Sequence, residues 1–324
     1  MNSLDSILKR TEAELSSISF TDEPVSLYDP ITYILSLGGK RIRPALTLIG
    51  CNIYSENIDA AVKPALGIEV FHNFTLLHDD LMDGADRRRN RKTVHKVWSP
   101  NVAILSGDAM LIASYRLIGK TPAPYLSVVL DLFTKTALDI CGGQQYDMEF
   151  EQRMDVTEQE YIRMIEMKTA VLLACALKIG ALIGGASLHD ADLLYNYGID
   201  LGLAFQLQDD LLDVYGDPES FGKNIGGDII SNKKTFLLLN ALRMVEGEER
   251  DRVLGWLCRI DCDPERKIAY FTELYSKLGI KELTEQRIAY FYTEAKHNLS
   301  ALQIADERLC VLKEISEKLM YRQV

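Results

Sequence analysis

The sequence predicts an all-α fold, and three observations lead to this prediction. Apolar residues recur with helical spacing through nearly the whole chain, no run of alternating apolar and polar residues marks a set of strands, and capping signals begin and end the apolar stretches. The length of 324 residues alone allows one domain or two. Because no Ser- or Gly-rich linker and no change of composition divides the chain, we expect a single domain over residues 1–324.

Explicit start and stop signals define several of the helices. A proline after a capping residue predicts a helix start, a Thr with a Glu three residues later predicts a capping box, and paired glycines predict helix ends. A further long helix is expected from His189 to Tyr215. The signals are, in chain order, a start at Asp29 and Pro30, a stop at Gly38 and Gly39, a capping box at Thr157 and Glu160, and a stop at Gly184 and Gly185.

The composition argues against several classes of protein. Hydrophobic residues make up 47% of the chain and charged residues 26%, as in a soluble globular protein with a sizeable core. A net charge of -11 argues against nonspecific nucleic-acid binding, which depends on Lys and Arg. The N-terminal segment lacks the apolar core of a signal peptide, and the most apolar stretch, residues 170–186, is interrupted by Lys178 and suits a buried helix. We therefore expect a cytoplasmic protein with no nucleic-acid partner and no stable membrane insertion.

The six cysteines are scattered along the chain. Cys258 and Cys262 are four apart, but no second pair and no nearby His completes a zinc-binding set. Free thiols in a reducing cytosol are therefore the expected state of these side chains.

Two aspartate triplets with the pattern D-D-x-x-D stand in apolar, helical stretches. On a helix, the first and last Asp of a triplet share a face, where they repel by about 0.2–0.5 kcal/mol. This repulsion favours a divalent cation as partner, and an oxygen-only site with few ligands suits Mg²⁺ together with a substrate phosphate. The alternative interpretation is that the two triplets simply lie on solvent-exposed helix faces and have no binding function. The triplets are Asp79, Asp80 and Asp83, followed by Asp209, Asp210 and Asp213.

The helix faces that precede the two triplets are mostly apolar or small, so the carboxylates are expected at the rim of a cavity. His72 lies two turns before Asp79 on the same face, either as a ligand-binding or as a packing residue. The sequence therefore predicts a Mg²⁺–diphosphate site between two facing helices.

Basic side chains accompany both triplets. Residues 87–96 form a basic run after the first triplet, and residues 215–234 form a Gly- and Lys-rich segment after the second. Lys40 and Arg43 are three apart at a predicted helix start, which suits a diphosphate, although a basic surface turn is the alternative. Lys168, inside an apolar helix, either extends to the surface or points into the cavity.

Taken together, these segments resemble the trans-type polyprenyl diphosphate synthase family, which includes farnesyl and geranylgeranyl diphosphate synthases. The resemblance runs from Gly38 to Lys234 and keeps the order of the family's motifs. The matching segments are GGKRIRP, HDDLMD, NVAILSGD, GGQQYDME, MKTA, FQLQDDLLD and the GK…GGDI…NKK segment.

The resemblance implies a single antiparallel helical bundle around a deep central cavity, the isoprenoid synthase type I fold, in a homodimer. It implies a prenyltransferase that condenses isopentenyl diphosphate with dimethylallyl, geranyl or farnesyl diphosphate, with about three Mg²⁺ ions in each active site. One alternative is a class I terpene cyclase, but that function would not explain the presence of the basic pair Lys40 and Arg43. A non-catalytic subunit of a heteromeric synthase is another, although such subunits usually lack intact triplets.

The resemblance also assigns roles to individual residues, which fall into four groups. They are Asp79, Asp80, Asp83, Asp147, Asp209, Asp210 and Asp213 for the metal ions, with Gln144 in support; Lys40, Arg43, His72 and Arg89 for isopentenyl diphosphate; Arg88, Lys168, Gln206, Lys223 and Lys233 for the allylic diphosphate; and Lys168, Thr169 and Gln206 for the reacting centre.

One segment departs from the family pattern. The family usually reads R-R-G-x-P-T-V-H, whereas Arg88 to His95 reads RRNRKTVH, so Asn90 and Lys92 replace Gly and Pro. Because Asn tolerates a positive φ better than most residues, the turn is expected to persist.

Product length is expected to depend on side chains that precede the first triplet. Phe74 lies five residues before Asp79, Phe71 lies lower along the helix, and Thr75 is small. By resemblance, a single aromatic residue at this level favours a C20 product, geranylgeranyl diphosphate, with C15 farnesyl diphosphate second. The alternative is that Phe74 packs in the core and touches no product.

Overall fold

The computed structural model describes residues 2–216, 225–259 and 262–320, and the predicted all-α fold is confirmed. Helices make up 79% of the structure. Among the described residues, the only strands are β1 (Arg87–Arg88) and β2 (Arg91–Lys92), which form an antiparallel pair. The helices are α1 (Leu4–Ser16), α2 (Val25–Ser36), α3 (Ile42–Tyr54), α4 (Asp59–Met82), α5 (Val94–Val97), α6 (Pro100–Ile118), α7 (Ala123–Glu151), α8 (Glu158–Ile165), a π-helical segment (Glu166–Ala170), α9 (Val171–Gly184), α10 (Leu188–Tyr215), α11 (Gly227–Ile230), α12 (Phe236–Met244), α13 (Gly247–Leu257), α14 (Pro264–Lys277), α15 (Ile280–Ser300) and α16 (Asp306–Met320).

The described residues form two compact units. The first unit is drawn from residues 1–135, 172–195 and 302–315, and the second from residues 136–171, 196–301 and 316–324. Boundaries between the units fall inside the continuous helices α7, α10 and α16, and after the first residue of α9. The single domain over residues 1–324 stays a prediction.

Close helix packing in the first unit depends on glycines. A Cβ on Gly67 of α4 would lie 2.9 Å from the side chain of Ile118, and a Cβ on Gly107 of α6 would lie 2.1 Å from the Nε2 atom of His78. The early part of α4 therefore meets the end of α6, and the end of α4 meets the middle of α6, so the two helices run antiparallel. This packing fixes the C-terminal end of α4, which carries the first aspartate triplet.

The predicted start of the second helix is wrong. The helix begins at Val25, with Pro24 in extended conformation before it, and Pro30 lies inside the helix. Pro30 has no N–H to bond the carbonyl group four residues earlier, so α2 tolerates the loss of one backbone hydrogen bond. The stop is confirmed, because α2 ends at Ser36 and Gly38 has φ of 80°.

The other helix signals are confirmed. Thr157 and Glu160 form the capping box at the start of α8, with both reciprocal hydrogen bonds present. α9 ends at Gly184, and Gly185 follows with φ of 96°. α10 begins one residue before the predicted His189 and ends at Tyr215.

Among the described residues, two helical stretches are long and apolar enough to cross a membrane, Pro100–Ile118 and Glu158–Gly184. Within the second stretch, 72% of the most apolar window is buried inside the protein, as in a core helix. The expected lack of stable membrane insertion stays a prediction.

Candidate active site

The first aspartate triplet closes α4, where Asp79 and Asp80 lie in the last turn and Asp83 is the C-cap. Asp80 is buried, and its Oδ2 atom accepts a hydrogen bond of 2.7 Å from Nε of Arg88. The Nη2 atom of Arg88 lies 3.7 Å from Oδ2 of Asp79. Burial raises the pKa of Asp80 even though Arg88 bonds to it. The negative end of the helix dipole adds to the cost of these charges, so this helix end favours a cation.

Arg88 belongs to a short hairpin that follows the triplet. Its strands pair Arg87 with Lys92 and Arg88 with Arg91, which leaves a two-residue turn. The turn residues Arg89 and Asn90 have φ of 50° and 63°, as in a type I′ turn. The prediction that Asn90 keeps the turn is confirmed.

The glycine pair before α3 makes room for Arg89. A Cβ on Gly39 would lie 2.8 Å from the Nη1 atom of Arg89, and Gly39 has φ of 139°. Gly39 is thus required both by its backbone conformation and by the guanidinium group that packs against it. Lys40 follows this glycine and is exposed, two residues before the first residue of α3. The predicted helix start is therefore confirmed: Lys40 directly precedes the N-cap Arg41, and Arg43 lies in the first turn of α3.

Arg43 and His72 are brought together as predicted for a shared subsite. The Nη1 atom of Arg43 lies 3.2 Å from Nε2 of His72. Burial, and next the charge of Arg43, lower the pKa of His72 well below its usual value. His72 is therefore neutral near pH 7, and its Nε2 atom accepts the bond that Arg43 donates.

Arg41, which was not predicted as a site residue, lies between Lys40 and Arg43 in the chain. Its side chain is buried and donates to Oε1 of Glu69 at 2.8 Å, to Oε2 of Glu12 at 3.1 Å and to the carbonyl oxygen of Leu35 at 2.8 Å. Arg41 thus anchors the loop before α3 to α1, α2 and α4. No short-range pattern links it to an acid 28 residues away.

The predicted chain-length residues lie in an aromatic cluster below the first triplet. The ring of Phe74 lies 4.8 Å from that of His78 and 5.5 Å from that of Phe71. Phe71 in turn contacts Phe133 at 5.1 Å. Thr75 bonds its hydroxyl group to the carbonyl oxygen of His72 in the preceding turn. The role of Phe74 in product length stays a prediction.

The second triplet lies in the last two turns of α10, in the second unit. Asp210 is 3% exposed, and its two oxygens accept hydrogen bonds from the Tyr161 hydroxyl group and from Nε2 of Gln206. The Oδ2 atom of Asp213 accepts from the backbone N–H of Asp228 at 3.0 Å. Asp209 is half-buried.

Tyr161 was not predicted. It lies 49 residues before Asp210 on α8, and a single buried tyrosine carries no sequence signal for a polar partner. The Gln206 amide also accepts from the Thr169 hydroxyl group at 3.0 Å. The structure thus joins the predicted Thr169, Gln206 and Asp210 in one hydrogen-bonded chain.

The remaining predicted residues of the second unit cluster around Asp147 on α7. The Nζ atom of Lys168 donates to Oδ2 of Asp147 at 2.6 Å. Burial alone would raise the pKa of Asp147, but the charges of Lys233 and Lys168 outweigh it and hold the pKa below its usual value. Gln144 lies half-buried one turn earlier on α7. Lys223 lies outside the described residues.

Lys168 and Thr169 stand in the π-helical segment Glu166–Ala170, which was also not predicted. Its wider turn is enclosed by two glycines: a Cβ on Gly143 would lie 2.4 Å from the backbone nitrogen of Lys168, and a Cβ on Gly202 would lie 2.6 Å from Cα of Ala170. Single π turns within α-helices are frequent at functional sites.

The chemistry of these side chains fits a magnesium site. In the described part of the chain, no group of three or more His, Cys, Asp and Glu side chains converges on one point. Mg²⁺ commonly takes only one or two carboxylates and completes its shell with water and substrate phosphates. Carboxylates at the negative ends of α4 and α10 meet that requirement. That both triplets share one site stays a prediction.

Comparisons with known proteins agree with these features. The family model for polyprenyl synthetase matches residues 24–274. A geranylgeranyl diphosphate synthase of Methanosarcina mazei is 34% identical over 100% of this chain and 96% of its own length. A short chain isoprenyl diphosphate synthase of Methanothermobacter thermautotrophicus is 36% identical over 88% of this chain and 87% of its own. A crystal structure of a geranylgeranyl pyrophosphate synthase is 43% identical, with a TM-score of 0.94 over the whole of both chains.

The fold and the two aspartate motifs define an enzyme of the all-α isoprenoid synthase class. Within that class, the chain belongs to the polyprenyl synthetase family, and it is a prenyltransferase.

Proposed function

We propose that this prenyltransferase condenses isopentenyl diphosphate with an allylic diphosphate to make geranylgeranyl diphosphate. Farnesyl diphosphate is the alternative product. The observation that carries the proposal is the combination of two intact D-D-x-x-D triplets with cations already bonded to nearby carboxylates, as Arg88 is to Asp80 and Lys168 is to Asp147. The C20 product is supported by the full-length similarity to geranylgeranyl diphosphate synthases and by the aromatic Phe74 below the first triplet.

Magnesium ions would be held by the two triplets, with Asp147 and Gln144 in support. When bound, Mg²⁺ neutralises the diphosphate group and so assists its departure from the allylic carbon. The contribution of the protein is a set of carboxylates held at two helix ends by buried partners, which lowers the reorganisation needed when a cation binds.

The basic side chains bind the two diphosphate groups. Arg88, Lys168 and Lys233 would stabilise the departing allylic diphosphate, and the predicted Lys223 would join them. Lys40, Arg43, His72 and Arg89 would hold isopentenyl diphosphate. The neutral His72 helps because it accepts a hydrogen bond from Arg43 and so fixes the orientation of the guanidinium group.

The reacting centre needs few proton-transfer groups. The C–O bond of the allylic substrate ionises, the double bond of isopentenyl diphosphate attacks the cation, and a proton is lost to the released diphosphate. Thr169 and Gln206 would face the cation with oxygen atoms. Water must be excluded, because it would trap the cation as an alcohol.

We further propose a soluble, cytoplasmic homodimer. Helix α6 exposes Leu105 at 59% and Ile112 at 69%, two residues seven apart and therefore on one face, with Ile104 beside them. Exposed apolar residues grouped on one helix support a protein–protein contact. Light scattering coupled to size exclusion tests the dimer, and substitution of Leu105 by Arg should yield monomers.

The function is tested by incubation of the purified protein with isopentenyl diphosphate, Mg²⁺ and each of the three allylic diphosphates, followed by sizing of the products. A C20 diphosphate supports the proposal, whereas a cyclic hydrocarbon formed without isopentenyl diphosphate indicates a terpene cyclase. Absence of any product indicates a non-catalytic subunit. Asp209→Asn should abolish turnover, and Asp131→Asn, at an exposed position on α7, is the matched control.

A further inference from the structure

Tyr161 is a buried hydroxyl donor that the motifs of the sequence do not include. It lies on α8, is 1% exposed, and donates to Oδ2 of Asp210. Burial, and next the charge of Asp210, raise the pKa of Tyr161 well above its usual value. In this pair the hydroxyl group is the donor and Oδ2 of Asp210 is the acceptor.

The bond from Tyr161 leaves one oxygen of Asp210 for Gln206. That oxygen, Oδ1, lies 3.0 Å from Nε2 of Gln206, one turn earlier on α10. The Gln206 amide turns its NH₂ group towards Asp210, because Nε2 donates the hydrogen bond to Oδ1. The carbonyl oxygen of Gln206 then points the other way.

The orientation of Gln206 decides what Thr169 can offer. The Gln206 carbonyl oxygen lies 3.0 Å from Oγ1 of Thr169, and an amide oxygen is only an acceptor. The hydroxyl proton of Thr169 is therefore committed to Gln206. What Thr169 presents elsewhere is its oxygen lone pairs, which favour a nearby positive charge, whereas a free hydroxyl proton would oppose one.

We infer that Tyr161 is a positioning residue that fixes the Gln206 amide through Asp210 and so directs the Thr169 lone pairs towards the reacting carbon. This role rests on the proposed function, because it matters only where an allylic cation forms beside Thr169. The two oxygens of Asp210 accept one hydrogen bond each from Tyr161 and Gln206, and each oxygen has a second lone pair, so Asp210 can join this hydrogen-bonded chain and still belong to the metal-binding triplet.

Tyr161→Phe tests the inference, because it removes one oxygen atom and keeps the ring. Tyr197 offers a matched control: it is 2% exposed in the same unit, and its hydroxyl group forms a hydrogen bond with that of Ser316. Both substitutions remove one buried hydroxyl group, so similar falls in melting temperature are expected. Only Tyr161→Phe should lower kcat, by about tenfold, with KM for both diphosphates within twofold of the wild type.

A double-mutant cycle separates positioning from a general structural effect. If Tyr161 acts through Gln206, its substitution should lower kcat no further in a Gln206→Ala background. Binding of a non-ionising thiolo analogue of the allylic diphosphate, measured by calorimetry, should be unchanged in Tyr161→Phe, because the polarity of Thr169 matters only once charge develops.

Three results would overturn the inference. The first is equal kcat in Tyr161→Phe and Tyr197→Phe. The others are a double variant whose loss of kcat is the product of the losses of Tyr161→Phe and Gln206→Ala, and weaker binding of the thiolo analogue to Tyr161→Phe. The wild-type enzyme is assayed first with both substrates. A wild type that forms no condensation product refutes the proposed function itself. If the wild type is active and Tyr161→Phe leaves kcat unchanged, only the role of Tyr161 is refuted.

Discussion

The backbone contact between α7 and the π-helical segment predicts the effect of a single methyl group. In Gly143→Ala, the new Cβ would stand 2.4 Å from the backbone nitrogen of Lys168, whereas ordinary contacts begin at 3.4 Å. The two backbones must therefore separate by about 1.0 Å, the difference between these distances. Lys168 carries the cation that bonds to Asp147 at 2.6 Å, so the displacement acts on the predicted site directly.

The expected losses differ for stability and activity. Overpacking costs about 1–3 kcal/mol, and replacing Gly by Ala in a helix returns about 1 kcal/mol, so the free energy of unfolding should fall by at most about 2 kcal/mol. A displacement of about 1 Å at a reacting centre costs about a hundredfold in rate, so kcat should fall by that factor. Thermal melting and initial rates with labelled isopentenyl diphosphate measure the two effects.

Gly255→Ala is the control for this substitution. Gly255 lies inside α13, and a Cβ there would meet nothing within 4 Å. This variant should gain about 0.5–1 kcal/mol of stability and keep full activity. A Gly143→Ala enzyme that keeps its activity within threefold would refute the reasoning that this contact holds Lys168 in place.

Three further predictions concern other parts of the molecule. Phe74→Ala should lengthen the product, and an unchanged product by chromatography would contradict its role as the floor of the cavity. Burial, and next the charge of Glu294, raise the pKa of Asp200 to about 6. Because the folded state then binds this proton more tightly than the unfolded state does, the free energy of unfolding should fall as the pH rises from about 4 to about 6. Asp200→Asn should remove that dependence and, after allowance for solvent screening, raise the unfolding free energy at pH 8 by about 1–2 kcal/mol in urea titrations. Glu69→Gln leaves Arg41 without its buried counter-charge and should lower the unfolding free energy by about 3–5 kcal/mol, whereas an unchanged denaturation midpoint would contradict the anchoring role of the pair.

The features that the sequence predicted are those encoded over short distances. The capping box of Thr157 and Glu160 and the i, i+4 spacing of each aspartate triplet depend only on helical geometry. The hairpin turn at Asn90 was predictable for the same reason, because positive φ is a local preference.

The features that the sequence did not predict arise from tertiary contacts. Arg41 finds Glu69 only after α3 and α4 have packed, and Tyr161 finds Asp210 only after α8 lies beside α10. The start of α2 was misassigned because Pro30 carries the local signature of a first helical residue, although buried packing of α2 keeps it inside the helix.

The π-helical segment also sets the rotational phase of the helix that follows it. One residue of an α-helix corresponds to about 100° of rotation, so deletion of a single residue between Glu166 and Ala170 would turn all of α9 by about that angle. Gly180 of α9 would then no longer stand against Thr47, where a Cβ would lie 1.9 Å from the carbonyl oxygen and no other side chain fits. The winding of five residues thus bears on which side of a largely buried helix can touch α3.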